Sequence, residues 1–257
     1  MFNYVHAIGG DGKREEHTGE DIHHLPPVNA VLLDSLDRHS HGRDNTPPAV
    51  GVAENINLVD EVLQWEIVVT VEGISERFLL PALAEALAQF PFVIKNFHSD
   101  NGSEYINKLV AKLLQKLLID QTKSRSRKTN DNALVEGKNG SVIRPVMGFI
   151  HIPKKYAKLI NDFDQEYLNP YLNFHRQCAF ADEIVDGKGK IKKVYKTYLT
   201  PCEKLLAIPE VERYLKTGTT TELLRRQMMR QTHLAAAEEK EKAKEALFAK
   251  IHGQMVH

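Results

Sequence analysis

Cysteine, tryptophan and long apolar runs are the scarce features of this 257-residue chain. Its two cysteines, Cys178 and Cys202, cannot staple a chain of this length and form no CxxC pair, so neither a disulfide scaffold nor a cysteine-based zinc site is supported. The longest apolar stretch, Leu79 to Ile94, is broken by Glu85 and Gln89, and the opening MFNYVHAIGGDG lacks a basic segment followed by an apolar one. No membrane span or secretion signal is expected, and the expected compartment is the cytoplasm. Net charge is missing too. The 34 Lys+Arg balance 34 Asp+Glu, which at first argues against a polyanionic partner. What is present is a 42% hydrophobic composition, enough to bury a core.

The balance is an average over two unlike halves. Residues 1–66 carry 12 acids and 4 bases, and residues 67–257 carry 22 acids and 30 bases. Patterning divides the chain further. Residues 1–10 alternate well enough for a first core strand. Residues 11–48 are polar and hold five of the twelve histidines, so they read as an insertion in which only Val28 to Leu36 suits a short ordered piece. The histidines His17, His23, His24, His39 and His41 have no metal-ligand spacing. Strand-like INLVD and WEIVVTV are followed by a helical pattern over 76–90, a short strand over 92–97 and an amphipathic helix over 104–118. Strands alternating with helices give an α/β layered domain over 49–170. A hairpin and helix are expected over 171–219, with a charged helical tail over 220–257.

Chemistry concentrates in His98-Ser99-Asp100-Asn101-Gly102-Ser103-Glu104, between a buried strand and a helix. A carboxylate after a strand in such a sheet projects into the ligand crevice, although Asn-Gly is also an ordinary turn. Glu136 follows on a helix after the basic stretch TKSRSRKTNDN, sharing a face with Asn139 and Ile143 by helical spacing. Two such carboxylates could hold hard divalent cations. From Gln121 to Lys155 eight bases face only Asp131 and Glu136, a surface able to position phosphates. A second lysine cluster, Lys188, Lys190, Lys192, Lys193 and Lys196, decorates the expected hairpin.

HSDNGSEYIN, then SRSRKTNDNALVEGKNG with 35 residues between Asp100 and Glu136, resembles the catalytic core of retroviral-type integrases and of bacterial insertion-sequence transposases with an Asp, Asp, Glu triad. INLVDEVLQWEIVV and NPYLNFHRQCAF extend the resemblance over roughly residues 50–205. It implies an RNase H-like mixed sheet flanked by helices, DNA integration by strand cleavage and transfer, and a two-metal site for Mg²⁺ or Mn²⁺. It also implies transposon-end and target DNA as partners, and a homo-oligomer on DNA. Asp100 and Glu136 match the second and third acids. Asn132, Lys138 and Asn139 match DNA-facing positions of the helix bearing Glu136, and Lys123, Arg125, Arg127, Lys128 and Arg144 belong to the phosphate-positioning basic run beside it. The first acid, expected in an Asp-Thr-Val-His context, falls on Asn3 of Asn3-Tyr4-Val5-His6. Asp11 and Asp60 are rivals for that role. An amide at the bridging position removes a charge, so an impaired copy without the usual upstream helix-turn-helix is expected, or a non-catalytic DNA-binding or dimerising remnant.

Overall fold

The computed structural model describes residues 28–32, 53–73, 75–99, 104–123, 133–148, 152–185, 187 and 189–255. Five strands form a mixed sheet: β1 (Val28–Leu32), β2 (Glu54–Asp60), β3 (Glu66–Val71), β4 (Asn96–Ser99) and β5 (Asp120–Lys123). Their order is β3-β2-β1-β4-β5. β1, β2 and β3 pair antiparallel, whereas β4 runs parallel to both β1 and β5.

The strand lying between β2 and β4 thus comes from the 11–48 stretch read as an insertion, and not from residues 1–10. Val28-Asn29-Ala30-Val31-Leu32 is a β-prone run after Pro26-Pro27, and Asn29 lies opposite both Val59 and His98. Residues 1–11, which include Asn3 and Asp11, lie outside the described residues.

β2 and β3 are near-continuously buried because their two faces serve two cores. On one face Ile56, Leu58, Ile67, Val69 and Val71 pack with Leu79, Leu83 and Leu87 of α1 (Glu76–Ala88), and with Val110 and Leu114 of α2 (Glu104–Lys116). Trp65 joins this core edge-on to Phe92 and Phe174. Phe92, expected inside a strand, makes only an isolated bridge to Leu215, so pairing of β4 starts at Asn96.

On the other face Val68 packs with Val142, Ile143, Ile160, Phe163 and Leu168. This layer is a nearly continuous helical run: α5 after α3 (Ala133–Lys138) and α4 (Arg144–Met147), spanning Ala157–Phe163 and continued by π-helical turns Asp164–Leu168 and Tyr171–His175. After a hairpin of β6 (Cys178–Val185) and β7 (Ile191–Leu199), longer than expected, come α6 (Pro201–Leu206), α7 (Thr221–Met228) and α8 (His233–Met255). The tail is not simply solvated. Leu247 and Ile251 of α8 are buried in the second core, and Lys240 lies 5.1 Å from the Tyr171 ring centroid. The chain is therefore mixed α/β, and no described helix is long and apolar enough to cross a membrane.

β3 is an edge strand, and its free edge is closed by asparagines of the α5 run. The Asn173 carboxamide accepts from the Glu66 amide at 2.8 Å and donates to the Glu66 carbonyl at 2.7 Å. Asn169 does the same at Val68, at 2.9 and 3.1 Å, and Asn161 at Thr70, at 2.6 Å in each direction. Four residues of α-helix rise about 6 Å and two residues of strand about 6.7 Å, so Asn169 and Asn173 match the period of outward-facing backbone groups. Three side chains thereby do the work of a neighbouring strand. Asn169→Ala leaves a buried N–H and C=O unpaired, and should lower unfolding free energy in urea by about 2–4 kcal/mol.

The β2–β3 turn is organised by Asp60. Its Oδ1 accepts from the amides of Val62 at 3.1 Å and Leu63 at 2.6 Å, while Gln64 takes a φ of 55°. Burial pushes the Asp60 carboxyl up to about 7, against the two backbone donors that pull it down. The folded state therefore keeps the proton longer than the unfolded chain. This favours folding fully below about pH 4 and is lost as pH rises towards 7. Asn at this position can accept the same two amide bonds without the charge. Relative to wild type, Asp60→Asn should be near-neutral at pH 4 and more stable by up to about 4 kcal/mol at pH 8, read from urea melts at both pH values.

Candidate active site

Strand order places the candidate site. β1, β2 and β3 are laid out to one side and β4 and β5 to the other, so the order reverses between β1 and β4. In open α/β sheets, ligands bind beyond the carboxyl ends of the strands at such a reversal. Asp100 follows Ser99, the last residue of β4, and Ser99 lies opposite Lys123 at the end of β5. Asp60 is at the wrong end: it pairs with Val28, the first residue of β1, and its carboxylate is committed to the turn. It is not the missing first acid.

Glu136 lies on α3, which packs over β1 and β2. Six residues are too few to be a stable helix alone, so the placement of α3 depends on its contacts. Leu134 packs on Val59. At the other end α3 runs directly into a π-helical turn, Asn139–Ile143, whose Asn139, Val142 and Ile143 are buried.

A buried polar cluster secures this junction. Asn57 Nδ2 donates to Asn139 Oδ1 at 2.8 Å and to Glu66 Oε1 at 3.1 Å. The Lys138 ammonium sits 3.7 Å from Glu66 Oε2 and donates to Cys178 Sγ at 3.2 Å. Burial raises the Glu66 carboxyl above the usual range. The charges of Lys138 and Arg176, and the bonds from Asn57 and Lys138, offset this in part. The cluster joins β2, β3, the end of α3 and the first residue of β6.

The residues singled out from sequence are distributed as follows. Asn3, Asp100, Arg125, Arg127, Lys128 and Asn132 lie outside the described residues, and for Lys123 and Glu136 the backbone alone is described. Arg144 is exposed at the start of α4. Lys138 and Asn139 correct the sequence expectation: both are buried and spent on Glu66, Cys178 and Asn57, so neither faces DNA. The physical reason is phase, because Lys138 is four residues after Leu134 and shares its sheet-facing side.

Sequence reasoning missed Glu66, Asn57 and the edge-closing asparagines. A carboxylate inside the otherwise apolar WEIVVTV was the available signal. Among the described residues no three His, Cys, Asp or Glu side chains gather as a metal site. The carboxylates that the sequence singles out, Asp100 and Glu136, are oxygen donors, a type that suits Mg²⁺ or Mn²⁺ better than zinc.

Removing one partner of a buried ion pair strands the other charge. Lys138→Met should therefore cost about 3–5 kcal/mol in urea unfolding, and adding Glu66→Gln should recover most of that loss.

No family model matches the chain. Over 92 residues it is 32% identical to y4rM, an uncharacterized protein of Sinorhizobium fredii. That match covers 36% of this chain and 26% of the relative, so the chain spans about a quarter of that protein's length. A chain in the cryo-EM structure of the simian T-cell lymphotropic virus intasome in complex with PP2A regulatory subunit B56 gamma superposes with a TM-score of 0.37. The superposition covers 59% of this chain and 49% of that one, at 15% identity.

Proposed function

We propose that the chain is the RNase H-like catalytic core of a DNA transposase or integrase, cleaving and joining DNA strands with Mg²⁺ or Mn²⁺. The observation that carries this reading is the sheet reversal between β1 and β4. Asp100 follows β4 there, and the helix bearing Glu136 is packed over β1 and β2. A mixed five-stranded sheet with helices on both faces supports the same reading.

The position of β1 alters the choice of first acid. Asp34 follows the last residue of β1 by two positions, and Asp34-Ser35-Leu36-Asp37 parallels the first three positions of the Asp-Thr-Val-His context expected of the family, with Asp37 in place of the His. Asp34, Asp100 and Glu136 then supply three carboxylates, so Asn3 need not be a degraded ligand and the copy need not be impaired. Bound Mg²⁺ or Mn²⁺ would supply activation of the attacking oxygen and stabilisation of the leaving one. The carboxylates bind and space the cations. Lys123, Arg125, Arg127, Lys128 and Arg144 hold phosphates against them without reading sequence.

Nicking of supercoiled plasmid in Mn²⁺ tests the assignment. Asp34→Ala, Asp100→Ala and Glu136→Ala should each reduce the rate at least about 100-fold, and Asn3→Ala should leave it unchanged. Salt-dependent DNA binding that survives all three substitutions, with no cleavage by wild type in any metal, would instead favour the non-catalytic DNA-binding reading.

A further inference from the structure

We propose that the buried Glu66–Lys138 pair is a positioning device for Glu136, acting through the end of α3. This rests on the reading of Glu136 as a metal-binding carboxylate.

Glu136 sits midway along a helix of six residues, and both ends of that helix are fixed from outside. Leu134 rests on Val59 at one end. At the other, Lys138 reaches Glu66 at 3.7 Å and Cys178 at 3.2 Å, and Asn139 is bonded to Asn57 at 2.8 Å. Lys138 is only two residues, or about 3 Å of helix rise, from Glu136. Any shift that lets Lys138 leave Glu66 moves the backbone of Glu136 almost rigidly with it.

Glu66 itself cannot follow such a shift. Its amide and carbonyl are bonded to the Asn173 carboxamide at 2.8 and 2.7 Å, and its Oε1 to Asn57 at 3.1 Å. The anchor is thus built into the sheet edge, and the helix is set against it. The π-helical turn after Lys138 serves the same end, turning Asn139 and Ile143 into the core immediately beyond the anchored residue. Burial of a Lys–Glu pair is expensive, and an apolar pair of similar volume would often fold as well. Retaining the charges favours one register of α3 on the sheet, the one in which the ammonium meets the Glu66 carboxylate at 3.7 Å.

The test measures Mn²⁺ binding by the full chain, from the free-ion signal in electron paramagnetic resonance, alongside DNA affinity and thermal melting. Glu66→Gln keeps the size of the side chain and a carbonyl oxygen for Asn57. It should weaken Mn²⁺ binding about tenfold, as loss of a group supporting a ligand commonly does, while DNA affinity stays within about twofold. Lys138→Arg, which keeps the cation, should stay within about twofold of wild type for Mn²⁺. Asn161→Ala, which weakens the sheet edge away from α3, controls for general loss of stability and should leave Mn²⁺ binding unchanged.

Equal Mn²⁺ affinities for Glu66→Gln and Asn161→Ala would overturn the proposal, as would a Lys138→Met variant that loses DNA affinity with Mn²⁺ binding intact. Glu136→Ala separates the two levels. If it alters Mn²⁺ binding and Glu66→Gln does not, positioning alone is wrong. If it alters nothing, the reading of Glu136 as a ligand falls, and the proposal with it.

Discussion

One desolvated carboxylate ties the structure together. Glu66 is bonded through its backbone to the helical layer at Asn173, and through its side chain to β2 at Asn57. Its charge is met by Lys138 at the end of α3. A buried ion pair of this kind contributes little net stability, since its attraction to the partner mainly offsets the cost of leaving water. What it supplies is registry. Strand, helix and hairpin base can share the site in one arrangement, and alternatives leave an ion without a partner in an apolar layer.

Element types were largely legible in the chain because period and length differ sharply between strands and helices. INLVD and WEIVVTV became β2 and β3, and the helical spacing of Leu79, Leu83 and Leu87 became α1. Val28–Leu32, legible only as a short ordered piece within a polar stretch, is a sheet strand for a reason that a local pattern hides. Residues 28–32 are five residues embedded in a polar, histidine-rich stretch, whereas their partners β2, β4 and the helices lie far along the chain. Pairing, invisible to a local pattern, makes them the central strand. The tail is helical as its composition suggests, but its packing was hidden because its inward stripe includes Ala236, Lys240 and Ala243, small or charged residues that lower the apparent amphipathicity.

Of the candidate site, the sequence offers the carboxylates, and the structure adds the buried groups around the end of α3. Asp100 and Glu136 stand out through position relative to strand, helix and basic loop. Lys138 and Asn139 looked like surface residues of a basic helix, and only the facing Glu66 and Asn57 explain why a lysine goes inside. Functional residues carry unusual composition, but the groups that set their geometry are ordinary residues whose meaning depends on what lies opposite. Of the basic residues from Gln121 to Lys155, Arg144 on α4 is exposed, whereas Lys138 at the end of α3 is buried.

The asparagine-closed edge of β3 also sets a schedule for synthesis. Asn161, Asn169 and Asn173 follow their strand partners by 91, 101 and 107 residues. At about 5–20 residues per second, the WEIVVTV segment leaves the ribosome roughly 5–20 seconds before its cover is made. During that interval a β-branched strand with open backbone groups is exposed to any neighbour able to pair with it. Expression yield, slow translation and crowding of nascent chains therefore bear on this protein through a strand that, once folded, has no free edge left to offer.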